Sequence, residues 1–248
     1  MPHTFVADAV VTLPAAAARH VQVLRLQPGG ALVVFNGSDG FDWPGEIVRM
    51  GRRDVDVRLG APLPVARELA CAVTIALGIP ANDRMDALVE KAGELGAAAI
   101  QPLVCERSVV RLAGERAAAK RAHWQAVATA ASEQCGRARV SAVHAVAPLA
   151  SWLESPGAAA PARRVVLSLE PTAPGPEEAL AAHAAPGTPI VVLSGPEGGL
   201  APGEEDAAVA RGFVRVGLGP RVLRADTAPL VLLAWLGLRD LGARGAPR

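Results

Sequence analysis

Two short segments near the C-terminus carry glycines at a spacing that lets backbone close around a small molecule. They are LSGPEGGL, residues 193–200, and GLGPRVLRADT, residues 217–227. Glycine at 195, 198, 199, 217 and 219 permits positive φ or an approach to a ligand that a side chain would block. The same residues also suit two ordinary tight turns. What the segments lack narrows the ligand. No G-x-x-x-x-G-K-[ST] occurs, no lysine lies near either segment, and no G-x-G-x-x-G opens a helix, so a nucleoside triphosphate or dinucleotide is disfavoured. Glu197 would repel a pyrophosphate. A neutral or cationic cofactor fits better.

Two arginines in the second segment, Arg221 and Arg224, have the chemistry for substrate work. A guanidinium donates to phosphate, or to oxygens on which negative charge builds during a reaction. A salt bridge at the start of the last helix is the structural alternative. Asp226 reads two ways: a general base in a closed pocket, or, just before Thr227 and an apolar run, a helix N-cap worth about 1 kcal/mol.

The elements around these segments follow from periodicity. Each segment trails a β-branched apolar run, residues 189–193 and 213–217, and precedes a helical pattern, so both are predicted strand-to-helix turns. From residue 70 onward strand and helix alternate, the pattern of a mostly parallel α/β sheet. Strands are expected at 71–77, 99–104, 140–146 and 164–169. Met85, Leu88, Val89, Ala92 and Leu95 fall on one face of a helix capped by Asn82 or Asp83, an alanine-rich helix covers 115–135, and an apolar helix covers 227–240. Residues 1–66 read as all-β, with runs at 21–26, 31–35, 41–48 and 55–59 between PGG, NGSDG and MGRRD turns. A small barrel closes such edges, with Trp43 in its core rather than stacking on a base. GAPLPVARE, residues 60–68, reads as a linker between the barrel and a second domain over 70–248.

The order GPEGGL, then LGPRVLR some twenty residues later, resembles the cofactor region of the ribosomal small-subunit RNA uracil-N3 methyltransferases of the SPOUT superfamily, which use S-adenosylmethionine. NDRMDALVEKAGELGAAAIQPLVCERSVVRL (82–112), HWQAVATAASEQCGRARV (123–140) and RHVQVLRLQPGG (19–30) resemble that family's segments in the same order. The resemblance implies a PUA-like β-barrel joined to a SPOUT domain with a C-terminal trefoil knot, a homodimer, and 16S ribosomal RNA or the small subunit as substrate, modified at the uridine numbered 1498. It implies an adenosyl pocket lined by Leu193, Gly195, Pro196, Glu197, Gly198, Leu218, Gly219, Pro220, Arg221, Val222 and Leu223, with a third wall at Leu169 and Glu170. Arg224 and Asp226 are then the catalytic candidates, and Arg19, Arg25, Arg52, Arg53 and Arg107 the RNA-binding ones. The chain departs from the family in three places. Asp226 stands where a glutamate is usual, Ala201-Pro202 where a Ser or Thr cap is usual, and His3 near the terminus where an arginine is usual. A non-catalytic ribosome-assembly protein of the same fold, or an α/β enzyme using another cofactor, are the competing readings.

Composition sets bounds without choosing among these. At 248 residues one large or two small domains can bury a core. The formal net charge of +1 does not mark a nucleic-acid binder, so the distribution of charge matters more than its sum. Lys91 and Lys120 are the only lysines among 25 basic residues, so positive charge is carried by arginine, clustered at 19/25, 49/52/53, 107/111/116, 137/139 and 221/224. Cys71, Cys105 and Cys135 lack the spacing of a disulfide framework or zinc site, and no metal is expected. No signal peptide is recognisable. The longest apolar run, residues 228–238, is shorter than the roughly 20 residues a bilayer needs. A soluble cytoplasmic protein is the expectation.

Overall fold

The computed structural model describes residues 4–81, 83–155, 162–181 and 187–244; His3 and Asn82, singled out above, lie outside them. The chain divides into two units. One is Met1–Glu68 with Gly136–Arg139, the other Leu69–Cys135 with Val140–Arg248.

In the first unit β1 (Val10–Thr12), β2 (Ala31–Val34), β3 (Phe41–Met50) and β4 (Val55–Leu59) form an antiparallel sheet in the order β1-β4-β3-β2. The short β5 (Leu63–Pro64) falls within the expected linker and pairs with the start of β3. β3 therefore serves two neighbours in turn, β5 through Phe41 and Asp42 and β4 from Gly45 onward. Gly45 is needed where it changes over. A β-carbon there would lie 2.5 Å from Val57 Cγ1, so only glycine lets the neighbouring strand lie this close. Trp43 is buried, edge-on to Phe5 with centroids 5.7 Å apart. Its indole N–H donates to Asp39 Oδ2 at 3.1 Å.

Residues 21–26, expected as a strand, are not one. They belong to α1 (Ala15–Val23) and its terminus. The alternation of VQVLRL suggested period 2, but the four alanines following Pro14 start a helix that runs through it, and alanine has the strongest helix preference of any residue. Ala18 and Val21 are buried with Leu13, Ile47, Val55, Val57 and Leu59. The helix stops at Arg25, which has φ +56°. Its N–H bonds Gln22 O, and the Leu26 N–H bonds Val21 O, the paired bonds of a Schellman stop. An arginine in this left-handed conformation is strained. Arg25→Gly should therefore raise stability by about 0.5–1 kcal/mol, read as a higher denaturant midpoint at unchanged slope; a lower midpoint would contradict the strain.

Gly136–Arg139 completes this unit from a distant part of the sequence. Arg137 is buried, its guanidinium forked on Glu68 with Nη2–Oε2 at 2.5 Å and Nε–Oε1 at 3.1 Å. Arg139 donates to the carbonyls of Ser38 and Asp39 at 2.6 and 3.2 Å.

The second unit is a parallel sheet in the order β12-β10-β11-β6-β7-β8, with β9 also on β7. Its strands are β6 (Val73–Gly78), β7 (Ala99–Val104), β8 (Ala142–Val143), β9 (Ala147–Pro148), β10 (Arg163–Leu167), β11 (Ile190–Ser194) and β12 (Val214–Val216). The helices are α2 (Arg84–Glu94), α3 (Gly114–Cys135), α4 (Leu149–Leu153), α5 (Pro176–Ala181), α6 (Pro202–Ala210) and α7 (Thr227–Arg244). β11 is buried along its whole length, as a strand covered on both faces must be. Ile190 and Val192 pack with Ile75, Leu88, Trp124 and Leu233 on one face, where α2, α3 and α7 lie. Val191 and Leu193 pack with Leu149, Trp152 and Ala208 on the other, where α4 and α6 lie. The expected α2 face is core: Met85, Leu88, Val89 and Ala92 are buried. Asp83 makes no side-chain capping bond there.

Candidate active site

A cavity of about 1240 Å³ opens at the C-terminal ends of the parallel strands, the end at which open α/β sheets hold ligands. Its walls are the loop after β11, the loop after β12 and the end of β10, strands that lie side by side as β11-β10-β12. Residues far apart in sequence meet here because parallel strands deliver all their C-terminal ends to one edge.

The loop after β11 is folded back on itself. A β-carbon at Gly195 would lie 2.6 Å from the Leu200 nitrogen and 2.7 Å from the Gly199 carbonyl carbon. The Gly199 N–H closes a turn onto Pro196 O at 2.8 Å, and Gly199 has φ +70°. β6 presses on the same loop: a β-carbon at Gly78 would lie 2.6 Å from the Pro196 nitrogen. Glu197 accepts the Ala81 N–H at 2.7 Å and lies 3.8 Å from the Arg84 guanidinium. Gly198 is confined for a different reason than an open pocket wall would require, because its β-carbon would meet Arg107 Cβ at 3.1 Å.

In the loop after β12, Gly217 donates to Pro174 O at 2.9 Å and Gly219 has φ +93°. No atom lies within 4 Å of the place where a Gly219 β-carbon would be, so this bare backbone faces open space in the cavity wall. Arg224 O accepts the N–H groups of Thr227 and Ala228 at 2.9 and 3.0 Å and fixes that residue's backbone at the start of α7. The side chains of Arg221 and Arg224 are exposed and line the cavity. Neither forms a hydrogen bond or ion pair among the described residues, so the alternative of a salt bridge at the start of the last helix is absent there.

Asp226 is not among the cavity-lining residues. It does not cap α7 either. The amides of Thr227 and Ala228 are taken by Arg224 O, and the next residue, Pro229, has no N–H to offer. Asp226 Oδ1 is buried with no partner among the described residues.

The third wall holds Leu169 and Glu170, tied down by a polar cluster that local sequence signals do not reveal. Ser168 Oγ accepts the Glu170 N–H at 3.1 Å and donates to Glu205 Oε1 at 2.8 Å. Arg215 donates to the same oxygen at 2.7 Å and to Asp206 at 2.8 Å. Of the expected cofactor residues, Leu169, Glu170, Gly195 to Gly198 and Leu218 to Leu223 all line the cavity; Leu193 is buried beneath it. Arg84, Ser168, Glu205, Asp206 and Arg215 line it as well. Their contribution comes from tertiary packing, which leaves no motif to read.

S-adenosylmethionine suits these residues. The exposed Gly219 backbone, with no side chain over it, could let an adenine approach closely. Of the lining carboxylates, Glu197 faces Arg84 and both Glu205 and Asp206 are paired with Arg215, which leaves Glu170 as the one without an ion pair among the described residues that could face a sulfonium or an ammonium. Among the described residues no cluster of His, Cys, Asp or Glu could hold a metal ion, and no helix is long and apolar enough to cross a membrane. Burial pushes the Cys105 thiol up to about 12, so it is an inert thiol rather than a nucleophile.

On the first unit, Arg19, Arg25, Arg52 and Arg53 are exposed and none is ion-paired among the described residues. Gln22 Nε2 donates to the carbonyls of Gly51 and Arg52 at 3.1 and 3.3 Å, bringing α1 and the β3–β4 turn, and with them these arginines, into one neighbourhood. Arg107 is in the second unit and is engaged with the loop after β11.

Comparison with known proteins gives a consistent picture. Residues 67–237 match the family model described as an RNA methyltransferase domain, and residues 13–60 the one described as an RNA methyltransferase PUA domain. Ribosomal RNA small subunit methyltransferase E of Bacillus subtilis is 31% identical, covering 91% of this chain and 88% of that protein. Its counterpart in Mycobacterium tuberculosis is 34% identical, covering 87% and 81%. Among solved structures, ribosomal RNA small subunit methyltransferase E of Neisseria gonorrhoeae bound to S-adenosyl methionine superposes with a TM-score of 0.83 at 32% identity, covering 95% of this chain and 94% of that one. A putative methyltransferase of Legionella pneumophila in complex with the same cofactor gives 0.85 at 29% identity, covering 96% and 95%.

Proposed function

The chain belongs to the RNA methyltransferase family that includes ribosomal RNA small subunit methyltransferase E, and on that premise we propose that it methylates N3 of a uridine in 16S ribosomal RNA with S-adenosylmethionine as donor. The observation that carries this reading is the convergence of three glycine-shaped or serine-pinned strand ends on one cavity, with two arginines at its wall that have no ion pair among the described residues. The cavity exceeds the roughly 300–1,000 Å³ of an ordinary small-molecule site, leaving room for a base beside a cofactor.

When bound, the cofactor supplies a methyl group made electrophilic by its sulfonium. The protein must present the base and manage charge. The backbones of Gly195, Gly198, Leu218 and Gly219, with Pro220 to Leu223, would hold the adenosyl group, and Leu169 and Glu170 would form its third side. N3 carries a proton at neutral pH, so its loss puts negative charge on the flanking O2 and O4. Arg224, with its backbone anchored and its guanidinium free of ion pairs among the described residues, is assigned to those oxygens, and Arg221 to a phosphate or the same oxygens. Asp226 lies outside the cavity lining of the free protein, but its buried Oδ1 has no partner among the described residues, and it is the carboxylate proposed to receive the proton once the base is seated. Modification at position 1498, a homodimer built on the exposed Val231 and Leu238 face of α7 and a knotted C-terminal segment belong to the same reading by resemblance, and a cytoplasmic location is proposed with it.

Mass-spectrometric mapping of 16S ribosomal RNA from a strain lacking this gene is the test. Loss of a single 3-methyluridine is expected, and an unchanged map refutes the assignment. The barrel arginines make a separate prediction. Replacing Arg25, Arg52 and Arg53 by glutamine should weaken RNA binding and flatten its dependence on salt, since each phosphate contact releases counterions, while calorimetric affinity for S-adenosylhomocysteine stays at the parent value. An unaltered salt slope would remove the patch from the RNA interface. The arginines at 107, 111, 137 and 139 would then become the candidates, all four of them hydrogen-bonded within the fold.

A further inference from the structure

Arg107 departs from the turn after β7, and that turn is itself fixed. Ser108 Oγ accepts the Cys105 N–H at 3.0 Å, and the Ser108 N–H donates to Cys105 O at 3.1 Å. From this base Arg107 Nη1 donates to two carbonyls of the loop after β11, Gly198 O at 3.0 Å and Leu200 O at 3.3 Å. In a trans peptide the carbonyl and the following N–H point in opposite directions, so the other side of each unit can be traced. The Gly199 N–H is held by Pro196 O at 2.8 Å. The Ala201 N–H is held by Glu204 Oε2 at 2.9 Å. Both peptide units are therefore gripped on both sides.

Glu204 closes the circuit. Its other oxygen accepts the Glu106 N–H at 2.8 Å, the amide next to Arg107. The ring runs from Glu106 to Glu204, to Ala201, across the peptide to Leu200 O, and back through the Arg107 guanidinium. It also explains Gly198, because a side chain there would press on Arg107 Cβ, 3.1 Å from the position of a β-carbon.

We infer that Arg107 and Glu204 form a clasp that sets the shape of the loop after β11 before any ligand arrives, so that Arg107 is a positioning residue for cofactor binding and not an RNA contact. The inference rests on the reading that this loop holds S-adenosylmethionine. An anchor made in advance spares the ordering cost that a mobile loop would meet on binding, so its removal should act on cofactor affinity.

The full-length Arg107→Ala protein is the test, with Arg107→Lys and Glu204→Gln beside it. Hydrogen exchange of the cofactor-free protein should show faster exchange at Gly199 and Ala201 in Arg107→Ala. S-adenosylhomocysteine should bind roughly tenfold more weakly, as expected for losing bonds from a charged donor. The KM for S-adenosylmethionine should rise in proportion while kcat at saturating cofactor changes far less. Arg107→Lys, whose single ammonium cannot reproduce the planar fork, should fall between, and Glu204→Gln should loosen the same amides. Unchanged exchange and cofactor affinity in Arg107→Ala would overturn the inference. So would parent-like cofactor affinity with weaker RNA binding and a flattened salt slope, which would make Arg107 an RNA ligand. Exchange is read without cofactor, so a wild-type protein unable to bind S-adenosylhomocysteine would refute the methyltransferase reading while the clasp is still judged by exchange.

Discussion

Gly195→Ala should weaken cofactor binding by roughly ten- to a hundredfold, because the added methyl group has no room beside the backbone of its own loop. The new carbon would sit 2.6 Å from the Leu200 nitrogen and 2.7 Å from the Gly199 carbonyl carbon. Both obstacles are backbone, which cannot swing aside as a side-chain tip can, so the loop has to open. Overpacking of this kind typically costs about 1–3 kcal/mol, and the damage falls on the surface that would meet the adenosyl group. Gly199→Ala is the control. Its φ of +70° is strained for alanine, but nothing lies within 4 Å of the added carbon, so a penalty of only about 1–2 kcal/mol without loop opening follows. Calorimetry with S-adenosylhomocysteine and thermal unfolding decide the ranking. Equal affinities for the two variants would show that the fold-back at Gly195 does not shape the site.

Arg224→Ala should lower kcat by about a hundredfold or more, the usual consequence of deleting one donor aimed at developing charge. Cofactor affinity should stay within a factor of about three, because the loop backbone that would hold the cofactor is fixed by Arg224 O, which the substitution keeps. Arg224→Lys should recover only part of the rate, since an ammonium cannot span two acceptors in a plane. A parallel fall in cofactor affinity would reassign Arg224 to holding the cofactor. Asp226→Asn provides the companion measurement. With no amide available for it to cap, the melting temperature should barely move, while a proton-accepting role predicts a kcat loss above tenfold. A full rate would remove Asp226 from the chemistry.

The parts of the architecture that were legible in the sequence are those in which local signal and tertiary demand agree. β7 and β4 begin and end at the expected residues, the apolar face of α2 is core, and the glycines of both loops stand where the backbone turns or is crowded. α1 is hidden in the sequence because VQVLRL alternates while the deciding alanines precede it. The sequence offers Asp226 as a cap because Asp is favoured just before an apolar helix, but the proline two places beyond Thr227 removes the amide that such a cap would bond. Ser168, Glu205 and Arg215 could not be found at all, because three elements must assemble before they touch. Arg107 was noticed as a charge, and only the structure shows that its charge is spent on carbonyls.

The four residues Gly136–Arg139 limit how this protein can be taken apart or recombined. A contiguous piece ending at Glu68 would carry a carboxylate separated from the arginine it grips, and would lack the strip that Ser38 and Asp39 bind. The complementary piece would carry Arg137 without its counter-charge, and breaking a buried pair in this way typically costs about 3–5 kcal/mol. The N-terminal unit is therefore not a cassette that gene fusion can move between enzymes. A functional chimera would have to exchange two separate stretches of sequence together, so the two halves of the chain are expected to be inherited as a set.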